Sequence, residues 1–207
     1  MEILIVAATE RELKPSLPLL HELEIDVLVT GVGMVETAFA LGEKLTAKHY
    51  DLLLNVGIAG SFSSDLTIGD VVEVVQDRLI ELGAQNREEF LSIEEMGFGQ
   101  SLFSSNSIVG TIAPTGLQQV YGITVNTVHG NVVAIEAIRK RLENDLTIES
   151  MEGAAVLHAA HKKNTPVVQV RAISNYVEPR DTSRWDIPQA IQNLHEWLRG
   201  YLISQQR

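Results

Sequence analysis

Short apolar runs alternate along this chain with glycine-bearing turns and amphipathic stretches. Glu2-Ile3-Leu4-Ile5-Val6-Ala7, Ile25–Thr30 and Asp51-Leu52-Leu53-Leu54-Asn55-Val56 are such runs, the pattern expected of strands covered on both faces. Gly31-Val32-Gly33 follows the second run as a turn. Met34–Ala47 then reads as a helix with Ala38, Leu41 and Leu45 near one face. Gly57-Ile58-Ala59-Gly60 is expected to break the third strand sharply. This strand–glycine–helix rhythm predicts α/β layers around a largely parallel core.

The centre has a different texture. Gly69–Val75 reads as a strand, whereas Leu82–Thr115 is glycine-bearing and lacks clean periodicity. It predicts long loops and short strands, at a substrate pocket or a subunit contact. Ile123–Val128 returns to strand character, Ala134–Leu142 and Gly153–His161 read as helices, and Pro166–Ile173 is rich in β-formers. Ile187–Leu202 can form an amphipathic C-terminal helix with Pro188 tolerated in its first turn. No repeat, low-complexity tract or linker divides the sequence. Residues 1–207 therefore read as a single domain, long enough for a full core.

Composition narrows the partners. Hydrophobic residues make up 45% and charged residues 21%, ordinary for a globular protein. A net charge of −11 and a pI near 4.9 argue against nucleic acid or an anionic membrane as partner, since both are bound through positive charge. Without cysteine there is no disulfide, thiolate metal cluster or cysteine nucleophile. The sequence begins directly with a strand, and no apolar run reaches the ~20 residues that span a bilayer, so the expected location is the cytoplasm.

Two acidic segments carry the candidate chemistry. Ala7-Ala8-Thr9-Glu10-Arg11-Glu12 lies at the carboxyl end of the first strand, where open α/β sheets place their sites. Glu10 and Glu12 can serve as catalytic carboxylates there, or cap and flank a helix starting near Thr9. Glu149-Ser150-Met151-Glu152-Gly153 leads into an alanine-rich helix. Glu152 can cap that helix, or accept two hydrogen bonds from a ribose cis-diol. Arg171 interrupts an apolar strand and needs a partner if buried, either a site carboxylate to orient or a structural ion pair. Asn175 offers an acceptor and two donors in one plane, suited to the N7/O6 edge of a 6-oxopurine or to a turn. Gly31, Gly33, Gly57 and Gly60 match neither a dinucleotide fingerprint nor a lysine-bearing phosphate loop. His158 and His161 lack the companions of a metal motif and read as packing residues, so no metal is expected. His129-Gly130-Asn131 can line a base pocket or turn the chain.

The chain resembles the nucleoside phosphorylase and nucleosidase superfamily over almost its whole length. The resemblance rests on Ala8–Glu12, on Asn55–Gly60 with Gly69–Val72, and on Ser150–Ala155 with Val170–Asn175. Within it the sequence is most similar to the futalosine hydrolases, through Phe62–Asp65, Glu81–Ala84, Glu95–Phe98 and Ile173–Val177, with Arg180-Asp181 and Trp185 beyond. The resemblance implies one three-layer α/β domain with a central mixed, partly barrel-like sheet flanked by helices. It also implies a homo-oligomer (dimer or tetramer), with no metal or organic cofactor.

Carried over position by position, it assigns Glu12 to water activation and Glu152, with Met151 beside it, to the ribose. Gly60 and Arg171 fall among the substrate-binding positions, and Asn175 among the catalytic ones. Adenine-specific nucleosidases of the superfamily have an aspartate at the position of Asn175. An amide is no general acid, but it suits a 6-oxopurine, so hypoxanthine is the expected leaving group. Futalosine, a menaquinone-pathway nucleoside, also carries an aromatic carboxylate, for which Arg180 or Arg184 is the candidate. Where phosphorylases place a phosphate loop this chain has Thr9-Glu10-Arg11-Glu12, so hydrolysis is expected over phosphorolysis. The alternatives are another purine nucleosidase, acting on aminofutalosine, inosine or methylthioadenosine/adenosylhomocysteine, and a non-catalytic nucleoside-binding protein.

Overall fold

A computed structural model describes residues 1–105 and 114–205. One mixed sheet of eight strands organises the described residues. It contains β1 (Ile3–Ala7), β2 (Asp26–Val29), β3 (Leu52–Ser61), β4 (Val71–Leu79), β7 (Leu102–Ser104), β8 (Gln118–Thr124), β9 (Thr147–Ser150) and β10 (Val167–Tyr176). Starting from β3, successive pairings with β10, β4, β8 and β9 lead back to β3, closing a five-stranded barrel. The parallel pair β1–β2 extends from β3 as an open wing. A separate hairpin, β5 (Gly83–Asn86) with β6 (Glu89–Ser92), carries the short strands expected of the central stretch.

Helices cover both faces. Even-numbered β3 residues Leu52, Leu54 and Val56 pack with Leu194, Leu198 and Leu202 of α6 (Ile187–Ser204). Odd-numbered Leu53 faces the other way, toward Leu41 and Leu45 of α3 (Met34–Ala47) and Val156 and Leu157 of α5 (Gly153–Lys162). Ala59, Val72, Val74, Val120 and Ile148 fill the barrel. Each fully buried leucine in these clusters contributes roughly 2 kcal/mol by leaving water. Two short helices, α1 (Glu10–Leu13) and α2 (Leu17–Glu22), and α4 (Val132–Arg139) complete the fold.

Three boundaries depart from the sequence reading. The Gly57–Gly60 segment does not end the third strand, because β3 runs through it to Ser61. Its glycines answer to close neighbours. A Cβ on Gly57 would lie 2.7 Å from Glu12 Oε1 and 2.8 Å from Arg171 Nη1, and one on Gly60 would lie 3.0 Å from Asn175 Nδ2. The strand expected at Ile123–Val128 lies earlier, at Gln118–Thr124, where β4 supplies a partner in register. Thr147–Ser150, unassigned on the sequence, is the strand that closes the barrel against Gly60 and Ser61. Part of the central stretch, residues 106–113, lies outside the described residues.

Candidate active site

The carboxyl end of β1 leads through Ala8 and Thr9 into the single turn of α1. That turn sends Glu10 to solvent and Glu12 inward, because side chains two apart diverge on a helix. Glu12 Oε2 accepts from the Thr9 backbone N–H at 2.9 Å and from its hydroxyl at 2.8 Å. Oε1 accepts from the Ile58 N–H at 3.1 Å. The capping role and a place in the site are therefore compatible: three donors fix one carboxylate, and that carboxylate lines a cavity of about 350 Å³. This volume falls in the range of small-molecule sites.

Across the cavity, Glu152 occupies the N-cap of α5 but makes no side-chain cap. Its Oε1 instead accepts at 2.9 Å from the N–H of Gly33. Gly33 is the N-cap of α3 and has φ of 97°, a conformation glycine adopts freely. Burial pushes the Glu152 carboxyl above its ordinary range, and the nearby Arg171 charge opposes that rise. Met151 lines the wall beside it.

The third wall is formed where β3 meets β9 and β10. Gly60 is paired with Asn175 on one side and with Glu149 on the other. A register shift between Ile173 and Asn175 marks a bulge at Ser174, which re-aims Asn175. Ser174 Oγ donates to Asn175 Oδ1 at 2.8 Å, and Asn175 Nδ2 donates to the Tyr176 carbonyl at 2.9 Å. The amide is thereby oriented with one N–H left for a ligand. Gly60 keeps the floor between Asn175 and Glu149 free of a side chain.

Arg180 and Trp185 stand at the rim, with the guanidinium carbon 4.7 Å from the indole centroid. Two candidates fall elsewhere. Arg184 pairs with Glu178 at 2.8 Å, leaves 61% of its side chain exposed and does not line the cavity. Arg171 lies beneath the floor rather than in the cavity, 2% exposed. It forms no ion pair among the described residues. Its Nη1 donates to Asn55 Oδ1 at 3.3 Å while Nε lacks a partner. It acts on Glu152 as a buried charge from below, because β10 carries it into the layer under Gly57.

That layer continues as a buried polar chain. Asp77 accepts from Gln169 Nε2 and from the Thr124 hydroxyl, each at 2.8 Å. Thr124 Oγ1 in turn accepts from the Ala154 N–H at 2.8 Å, pinning the first turn of α5 behind Glu152. Full burial pushes the Asp77 carboxyl up to about 6.

Sequence reasoning counted Glu149 in the second acidic segment without giving it a role, and left His129 open. His129 donates its backbone N–H to Glu149 Oε1 at 2.9 Å and its Nδ1–H to Glu149 Oε2. Both residues line the cavity. No local pattern announces the pair, because β8 and β9 bring together residues twenty apart. His158 and His161 pack edge-on against Phe103, in keeping with the packing reading. Among the described residues no cluster of three His, Cys, Asp or Glu side chains could hold a metal, and no helix is long and apolar enough to cross a membrane.

The family model of the phosphorylase superfamily matches residues 5–202. The futalosine hydrolase of Streptomyces coelicolor is 32% identical over 176 residues, 82% of this chain and 74% of the relative. That of Acidothermus cellulolyticus is 33% identical over 181 residues, covering 84% and 73%. Among solved structures, the futalosine hydrolase of Helicobacter pylori superposes with a TM-score of 0.83 at 18% identity, over 99% of this chain and 98% of that one. The 5′-methylthioadenosine/S-adenosylhomocysteine nucleosidase of Neisseria meningitidis, in complex with methylthio-immucillin-A, gives 0.78 at 18% identity over 98% and 99%. At these identities the structural likeness establishes the fold.

Proposed function

The chain belongs to the phosphorylase superfamily, and from that premise we propose that it hydrolyses the N-glycosidic bond of futalosine, releasing hypoxanthine and dehypoxanthine futalosine in menaquinone biosynthesis. The carrying observation is that Glu12, Glu152 and Asn175 line one cavity from three walls. The curated relatives named futalosine hydrolase support the choice of nucleoside.

In the proposed reaction a water held by Glu12 adds to the anomeric carbon as the bond to the base stretches toward an oxocarbenium-like ribose. The donors from Thr9 and Ile58 hold the Glu12 carboxylate at a fixed position, so little reorganisation accompanies proton removal. Glu152 accepts from the ribose hydroxyls with the oxygen that Gly33 leaves free. Asn175 directs its unused N–H to the base edge, where negative charge collects. A 6-oxopurine presents acceptors to that N–H. Three carboxylates in the cavity, Glu12, Glu149 and Glu152, disfavour a phosphate nucleophile, which supports water instead. Arg180 holds the distal aromatic carboxylate at the rim. The proposed enzyme works as a cytoplasmic homo-oligomer without metal or organic cofactor.

The test is a substrate panel. Futalosine, aminofutalosine, inosine and methylthioadenosine are incubated separately with the protein and the products separated by chromatography. Release of hypoxanthine from futalosine at a kcat/KM well above the others is expected. Preferred cleavage of an adenine nucleoside would overturn the assignment of substrate.

A further inference from the structure

The departing base collects the electron pair of the broken bond, and Asn175, an amide, has no proton to give it. We propose that His129, held by Glu149, is the acid that protonates the departing base; this rests on the hydrolase reading above.

The geometry supports the pair as a unit. Gly60 separates Asn175 from Glu149 in one row of the sheet, and directly paired residues project to the same face. Two strand spacings, roughly 10 Å, therefore separate the two backbones, room for a flat base lying over Gly60. Glu149 is 3% exposed and both of its oxygens accept from His129, one from the backbone and one from Nδ1. A carboxylate on Nδ1 leaves Nε2 as the ring's other polar atom, and Nε2 has no hydrogen-bond partner among the described residues. The imidazole retains 11% exposure in the cavity wall, packed edge-on against Phe62. The other carboxylates of the cavity have different duties in the proposed reaction, Glu12 toward water and Glu152 toward the ribose. Its remaining charged groups, Arg11 and Arg180, are guanidiniums that hold their protons too tightly to serve as the acid.

The proton balance closes. As C1′–N9 breaks, its electron pair goes to the base, and the Nε2 proton passes to a ring nitrogen of the base. Water adds its hydroxyl to C1′ while Glu12 takes the other water proton. Solvent then returns a proton from Glu12 to His129, and one water is consumed. Several charges bear on the pair. Glu81 acts on Glu149, Arg139 lies over the Phe62 ring, and Arg180 packs against Gly130. Glu12 and Glu152 share the cavity, with Arg171 beneath it. Burial raises the Glu149 carboxyl, and its hydrogen bonds to His129 oppose that rise.

The test uses His129→Asn, whose amide can still donate to Glu149, and Glu149→Gln. Each is assayed on futalosine and on p-nitrophenyl β-D-ribofuranoside, whose leaving group departs as a stable anion. Loss of a general acid lowers futalosine kcat by about a hundredfold or more in His129→Asn, with KM and Tm nearly unchanged. The aryl riboside rate stays within a few fold, and the alkaline fall of the wild-type pH profile disappears. Glu149→Gln, which takes the anionic partner from the ring, lowers futalosine kcat in the same sense and leaves the aryl riboside rate within a few fold. Equal losses on both substrates, or an unchanged futalosine kcat, would overturn the proposal. If wild type does not turn over the aryl riboside, the alkaline limb decides: its persistence in His129→Asn refutes the role. If wild type prefers another purine nucleoside, the substrate reading fails, and the same comparison on that nucleoside still decides the role of His129.

Discussion

Replacing Asp77 by asparagine should make the protein more stable at neutral pH and less distinguishable from wild type in acid. Asp77 is fully buried in the polar layer beneath the site, and burial raises its carboxyl from 3.8 to about 6. The folded state therefore holds this proton more tightly than the unfolded chain. Its contribution to stability is intact below about pH 4 and is lost as pH rises through about 6. A shift of about two units corresponds to roughly 3 kcal/mol of ionisation penalty in the neutral protein. Asparagine removes that penalty and can keep the hydrogen bonds. Its Oδ1 can accept from the Thr124 hydroxyl, and its amide can donate to Gln169 Oε1, which has no partner now. Gln169 need only rotate its amide. Urea unfolding of both proteins, followed by tryptophan fluorescence at steps from about pH 4 to about pH 8, isolates the effect, because other titrating groups cancel in the difference. The variant should gain roughly 3 kcal/mol on wild type across this range. A difference independent of pH, or one that moves against the variant as pH rises, would refute the burial argument.

Three further outcomes follow from the site. Gly57→Ala places a Cβ within 3 Å of both Glu12 Oε1 and Arg171 Nη1; overpacking should cost about 1–3 kcal/mol of stability and displace Glu12, read as a Tm loss with a disproportionate fall in kcat. Glu12→Gln keeps an acceptor for Ile58 but removes the base, so kcat should drop by roughly 10²- to 10⁴-fold while KM holds; substantial retained turnover would assign water activation elsewhere. Arg180→Ala should weaken futalosine far more than inosine, as separate kcat/KM measurements would show, whereas Arg184→Ala should leave both unchanged because that guanidinium is engaged with Glu178.

The alternation of apolar runs and glycine turns was enough to predict α/β layers and the helix Met34–Ala47, which the structure has with the same bounds. Local patterning carried less where a residue's reason is a neighbour far along the chain. Gly57 and Gly60 look like strand breakers in isolation, yet they lie within β3 and make room for Glu12, Arg171 and Asn175. Arg171 could not be assigned to the cavity or to the layer below it until the pairing of β10 with β3 was known. Glu12 illustrates a different limit: a capping glutamate and a site glutamate have the same local sequence, and here one side chain meets both descriptions. Glu149 stood out only as part of an acidic segment and its role was not legible, since its partner His129 reaches it only through the closure of the barrel.

The most direct test of the central claim is the initial rate of hypoxanthine release from futalosine with and without inorganic phosphate, for wild type and Glu12→Gln. Water activation by Glu12 predicts a wild-type rate indifferent to phosphate, dehypoxanthine futalosine as the second product, and near-complete loss in the variant. A rate that requires phosphate, with a phosphorylated sugar as product, would contradict it.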